Sequence, residues 1–140
     1  MRVLFDTNVV LDHLLEREPH AGVAERLLSL VDAGKVEGLI CATTATTIHY
    51  LASMAVGPAA ARDLLRGLVE IFDVACVDGE VLRSALDAGF ADYEDAVVHE
   101  AARHAGAAAI VTRNGCDFAR SRLPVFSPAE LLAALGVGEA

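Results

Sequence analysis

Short apolar runs alternate with longer stretches of helical periodicity, and this alternation constrains the fold more than any other feature of the chain. The runs are Arg2 to Phe5, Gly38 to Cys41, Ile71 to Val77 and Ala108 to Val111. Continuous apolar runs of this length suit strands that are covered on both faces. Strands interleaved with helices predict an α/β domain with three α/β/α layers around a mainly parallel sheet of four to five strands.

The helices follow from local signals. One begins near Asn8 and carries Val9, Val10, Leu11, Leu14 and Leu15. Pro19 is expected to start a second, with Val23, Leu27, Leu28 and Val31 on one face and Gly34 as its stop. Thr43 to Met54 reads as a helix because Ile48, Leu51 and Ala55 recur at helical spacing. Gly57-Pro58 breaks the chain and opens another through Leu64, Leu65 and Leu68. Asp78 or Gly79 caps a helix through Val81, Leu82, Ala85 and Leu86. Asp92 to Ala105 forms a helix ended by Gly106. Leu123 to Phe126 supplies a short fifth strand, Ser127-Pro128 caps a terminal helix, and Gly136 to Ala140 is expected to fray.

Composition narrows the function. At 140 residues the chain reads as one domain, 1–140, and its 54% hydrophobic content excludes disorder. No Trp and few other aromatics leave little for a base-stacking platform. The net charge of -9 opposes loose, charge-driven adhesion to nucleic acid or anionic membrane, yet allows an acidic site that meets phosphates through bound metal. The lone lysine, Lys35, cannot be placed in a phosphate-binding glycine loop. Cys41, Cys76 and Cys116 read as reduced thiols of a cytoplasmic protein, and no signal peptide is expected. Gly38 to Ala61 lacks Asp, Glu, Lys and Arg, but Gly57-Pro58 interrupts it. A buried strand followed by a buried helix explains it better than a membrane span.

Carboxylates recur where strands end. Asp6 follows the first run directly, and Asp117 follows the Ala109-Ile110-Val111 run with Thr112, Arg113 and Asn114 between. Thr43 and Thr44 follow the second run. Asp92 and Asp95 share a helix face at i, i+3 spacing. Two carboxylates about 4 Å apart repel by roughly 4 kcal/mol at an effective dielectric of ~20. An edge that gathers acids therefore invites a hard divalent cation, Mg²⁺ or Mn²⁺, with oxygen ligands. Taken singly, each acid has a structural reading: Asp6 or Asp92 as a helix cap, Asp117 as the closer of an Asx turn.

The stretch Leu4-Phe5-Asp6-Thr7-Asn8-Val9-Val10-Leu11-Asp12 resembles the opening motif of PIN-domain ribonucleases, the fold of VapC-type toxins. Asp95-Ala96-Val97 through Ala101-Ala102 is similar to that family's central aspartate and alanine-rich helix. Ile110 to Phe118, with Thr112, Asn114 and Asp117, resembles its C-terminal motif. The three come in the family's order and span essentially the whole chain. The resemblance implies a PIN-like fold and a Mg²⁺- or Mn²⁺-dependent endoribonuclease that cuts RNA, with the toxin of a toxin–antitoxin pair as its setting. It makes Asp6, Asp95 and Asp117 catalytic, metal-binding acids, supported by Asn8, Thr112 and Asn114. Toxin membership implies a small antitoxin partner. One position departs from the pattern: Thr47 stands where the family usually has Glu. As a supporting polar residue Thr47 offers a hydroxyl that can orient a water, but a hydroxyl binds metal far less well than a carboxylate. Either Asp92 or Glu94 compensates, or the chain is a catalytically weak or inactive PIN-like binding module.

Asn8 sits where a haloacid-dehalogenase phosphatase needs a second Asp, and an amide cannot act as the acid. His99-Glu100 with His104 is one residue too long for a zinc-protease helix. His99 reads as solvated or paired with Asp95, one turn earlier. Arg113, Arg120 and Arg122 bracket Asp117; Arg113 and Arg120 are candidate contacts for the RNA backbone, with surface ion pairing as the alternative. Asp12, Glu16 and Glu18 read as a solvated helix end. The apolar residues of the first two helices read as core or as a homodimer face.

Overall fold

The computed structural model describes residues 1–136. The elements run β1 (Arg2–Phe5), α1 (Thr7–Leu14), α2 (Ala21–Asp32), β2 (Glu37–Cys41), α3 (Ala42–Val56) and α4 (Pro58–Ile71). They continue with β3 (Asp73–Ala75), α5 (Gly79–Leu86), α6 (Tyr93–His104), β4 (Ala109–Val111), a 3₁₀ turn (Gly115–Phe118), β5 (Val125–Phe126) and α7 (Pro128–Ala134). The strands form one five-stranded sheet in the order β3-β2-β1-β4-β5, parallel throughout.

Strand alternation sorts the core into two layers. Val3, Phe5, Ile40, Ala109 and Val111 face one side, where α1, α2, α3, α4 and α7 cover them. Leu4, Leu39, Cys41 and Ile110 face the other, under α5 and α6. This is the α/β/α sandwich expected from the sequence, and it buries β1, β2 and β4 on both faces. The apolar residues of α1 and α2, including Val9, Val10, Leu27 and Leu28, lie inside the first layer rather than on an open face.

Gly38 is needed for close packing. A Cβ there would stand 2.6 Å from Phe72 Cε1 and 2.9 Å from Val31 Cγ1. Phe72 in turn meets Phe5 edge to face, with ring centroids 5.0 Å apart.

Several boundaries differ from the sequence reading; the fifth strand, for one, covers only Val125–Phe126 rather than Leu123 to Phe126. The second helix starts at Ala21, not Pro19, because His20 first donates to the Arg17 carbonyl in a turn. The third strand is only Asp73–Ala75, because the leucine stripe of α4 continues to Ile71 and Phe72 still donates to Leu68. Asp78, Asp92 and Ser127 cap α5, α6 and α7 through their side chains. Of the segment expected to fray, only Gly136 lies among the described residues.

The chain fills one side of the sheet through β1, β2 and β3, then crosses back through α5 and α6 to place β4 beside β1. The strand order reverses between β1 and β4. In open parallel sheets the crevice outside the carboxyl ends at such a point is where ligands bind. Asp6 and Thr112 are the residues that leave those two strands.

Candidate active site

Asp6 is fixed from both sides of the reversal. Its backbone N–H still donates to the Val111 carbonyl, extending the ladder by one bond. Its side chain then caps α1, with Oδ1 accepting the Thr7 N–H at 2.9 Å. Oδ2 accepts the Thr112 hydroxyl at 2.8 Å and the Asn8 amide at 3.4 Å. Asn8 Nδ2 also reaches Thr112 Oγ1 at 3.3 Å, and Asn8 Oδ1 accepts the Arg113 N–H at 3.2 Å. Thr112 Oγ1 accepts the Asn114 N–H at 3.0 Å. Asp6, Asn8, Thr112 and the Asn114 backbone thus form one polar network; the Asn114 side chain is exposed.

Asp95 and Asp117 line a cleft of about 360 Å³ together with Asp92, Phe90, Cys116 and Arg120. Asp95 comes from the first turn of α6, whose N-cap, Asp92, accepts the Asp95 N–H at 3.1 Å. Asp117 comes from the 3₁₀ turn after β4. Asp6 lies outside that lining but within the same field. Burial pushes the Asp6 carboxyl up, opposed by the bonds from Thr112 and Thr7 and assisted by Asp117. Burial, then Asp92, Asp6, Asp117 and Glu94, pushes Asp95 up to about 6. Neighbouring acids therefore disfavour the charged forms of Asp6 and Asp95.

Among the described residues, no three His, Cys, Asp or Glu side chains are close enough to form a metal cage. The donor set nevertheless fits a hard divalent ion. All its donors are carboxylate oxygens, their charges are mutually uncompensated, and such ions complete their shells with water. Thr47 adds no acid; its hydroxyl bonds back to the Thr43 carbonyl of α3 at 3.2 Å. Nearer to Asp6, Thr7 Oγ1 meets the buried Thr44 Oγ1 at 3.4 Å, tying α1 to α3.

Three sequence expectations change. Asp12 is not solvated: it is 1% exposed and receives Arg113 Nε at 2.6 Å and Arg17 Nε at 3.1 Å. Its placement one turn beyond Asn8 was the available signal. Arg113 is accordingly held by Asp12, with Nη2 also at 3.2 Å, rather than free for a substrate; Arg120 lies on the cleft. His99 is neither solvated nor paired with Asp95. It is buried, accepts the Arg122 N–H on Nε2 at 3.0 Å, and sets Nδ1 2.7 Å from Glu100 Oε2. Its ring lies against Phe90 with centroids 4.8 Å apart, and burial holds its pKa below the usual value. His104 is exposed at the end of α6, so the two imidazoles share no site.

Comparison with known proteins places this arrangement. A family profile described as the PIN domain matches residues 2–115. No curated protein sequence matches the chain. Among solved structures, the chain is similar to VapBC2 from Rickettsia felis bound to a promoter DNA fragment. That likeness has 17% identity and a TM-score of 0.68, over 91% of this chain and 98% of the other. A toxin–antitoxin complex from Klebsiella pneumoniae gives 23% identity and a TM-score of 0.67, covering 90% and 97%. Mycobacterium tuberculosis VapC20, described as a toxin that cleaves the sarcin–ricin loop, gives 17% and 0.62 over 77% and 86%. These likenesses bear out the expected fold, and with the profile spanning most of its length the chain belongs to the PIN-domain family.

Proposed function

We infer that this protein is a divalent-metal-dependent endoribonuclease. The observation that carries the reading is that Asp95, from the first turn of α6, and Asp117, from the turn after β4, line one cleft, with Asp6 at the strand reversal between β1 and β4 close enough to raise the Asp95 pKa. Asp6, Asp95 and Asp117 would hold Mg²⁺ or Mn²⁺, with Asp92 as a further oxygen donor. Such an ion lowers the pKa of water and offsets charge on a phosphodiester. The protein's own contribution is positional. Thr112, Asn8 and the Thr7 N–H fix the Asp6 carboxylate, Asp92 fixes the start of α6, and Arg120 offers a guanidinium to the RNA backbone.

The toxin–antitoxin setting of the similar structures supports a small inhibitory protein as partner. Exposed Tyr50 and Met54 on α3 support a homodimer, to be read by light scattering. No helix among the described residues is long and apolar enough to cross a membrane. The free thiols fit a cytoplasmic setting.

The test is cleavage of tRNA and structured RNA with Mn²⁺, with EDTA, and in Asp6→Asn and Asp95→Asn. Cleavage that needs metal and disappears in both variants is expected; cleavage that survives both rejects the reading. A second reading, a PIN-like module without turnover, rests on Thr47 spending its hydroxyl on its own helix. Calorimetry separates them, because the nuclease must take up Mn²⁺ and a scaffold need not.

A further inference from the structure

Beside the acid cleft lies a second cavity of about 230 Å³, and Arg120 lines both. Arg103, Arg122, Ser84, His99 and Glu100 also line the second cavity. The three guanidiniums differ in what they already hold. Arg103 is committed to Glu100, with Nη1 3.0 and 3.3 Å from the two carboxylate oxygens. Arg120 and Arg122 are exposed and make no ion pair among the described residues. Asp87 also borders the cavity and pairs with neither. Two uncommitted guanidiniums are conspicuous in a chain whose net charge is -9.

The backbone under these two arginines is firmly held. His99 Nε2 accepts the Arg122 N–H at 3.0 Å, which requires the proton on Nδ1, facing Glu100. Ser121 donates its N–H to the Phe118 carbonyl and its hydroxyl to the Leu123 carbonyl, and accepts the Leu123 N–H at 3.0 Å. The segment is therefore anchored to α6 while its cationic ends stay open. A rigid base with free guanidiniums loses less freedom when it takes an anion, and guanidinium geometry matches phosphate oxygens in pairs.

We propose that the cavity between Arg120 and Arg122 is a phosphate subsite, taking an RNA backbone phosphate next to the one presented to the acid cleft. Arg120 stands between the two positions, and His99 is the positioning residue that sets Arg122. This rests on the ribonuclease reading for its substrate, and the experiment separates the two.

Binding of a fluorescein-labelled single-stranded RNA is followed by anisotropy over a salt series, in an Asp6→Asn background that prevents turnover. Arg122→Ala is expected to weaken binding about five-fold and to reduce the salt slope by about 0.7, one phosphate contact on a single strand. Arg66→Ala, on the far layer, is expected to change neither. His99→Gln, whose amide oxygen can accept the Arg122 N–H, is expected to retain affinity. His99→Leu is expected to lose it and to speed amide exchange at Arg122. If His99→Leu does not fold, Arg122→Ala and His99→Gln still decide. Unchanged affinity and slope in Arg122→Ala overturn the subsite. So does inorganic phosphate that binds through Arg122 while RNA binding ignores the substitution. RNA held through Arg122 but never cut by the unaltered protein with Mn²⁺ defeats the nuclease reading and leaves the subsite standing. Cleavage indifferent to Arg122 does the reverse.

Discussion

The Thr112 hydroxyl donates to Asp6 Oδ2 at 2.8 Å across the one place where the strand order reverses, joining residues 106 apart in sequence. Thr112 is buried, and the same oxygen accepts from Asn8 and from the Asn114 backbone. One hydroxyl therefore sets the carboxylate, the first turn of α1 and the loop leading to Asp117. Thr112→Val keeps the shape and removes all three bonds. It should cost about 1–2 kcal/mol, a fall of roughly 3–6 °C in melting temperature. It should also weaken Mn²⁺ uptake measured by calorimetry, and Thr112→Ser should restore both.

Asp95 makes stability depend on pH in an unusual direction. Its folded-state pKa of about 6 lies above the ordinary 3.8, so the folded chain binds this proton more tightly than the unfolded chain does. The cost of ionising it is absent below about pH 4, grows between those two values and is complete above about 6. Asp95→Asn should therefore raise the melting temperature at pH 7.5 by about 3 °C, from roughly 1 kcal/mol after discounting for solvent screening at a half-buried site. At pH 3.5 the same substitution should change little. Thermal melts at both pH values check the sign, and a gain confined to low pH would contradict it.

The two arginines on Asp12 should prove unequal. Asp12 is 1% exposed; Arg113 engages both of its oxygens, while Arg17 reaches one from a more exposed position. Arg113→Met leaves a buried carboxylate with a weak partner and should cost about 2–3 kcal/mol in urea unfolding. Arg17→Met removes a solvent-screened contact and should cost less than about 1 kcal/mol.

These residues also show where the sequence speaks and where it does not. The placement of Asp6 and Thr112 was legible because a strand's end is a position along the chain, and apolar runs mark it locally. The layers were legible for the same reason: Val3, Leu4 and Phe5 alternate faces by the geometry of a strand. Asp12 and His99 were misread because their burial depends on partners far along the chain, Arg113 and Arg122, that no local pattern reveals. The extent of β3 was misread because an apolar residue such as Ile71 suits a helix end as well as a strand start.

Gly38 tests the packing that carries β2, and with it the start of α3. Its hypothetical Cβ meets two buried side chains, Phe72 and Val31, rather than a flexible end at the surface. Phe72 cannot swing aside without leaving the ring of Phe5, one residue before Asp6. Gly38→Ala gains some backbone entropy, about 0.5–1 kcal/mol, but overpacking should outweigh it with about 1–3 kcal/mol. The variant should melt several degrees lower, and Gly38→Ala combined with Val31→Ala should recover only the part due to Val31. Because Phe5 leads straight into Asp6, the single variant should also loosen the acid site, seen as weaker Mn²⁺ binding at temperatures where the fold is intact. A variant as stable as the parent would mean that Phe72 and Val31 yield freely, and that this side of the core is looser than the contacts at Gly38 imply.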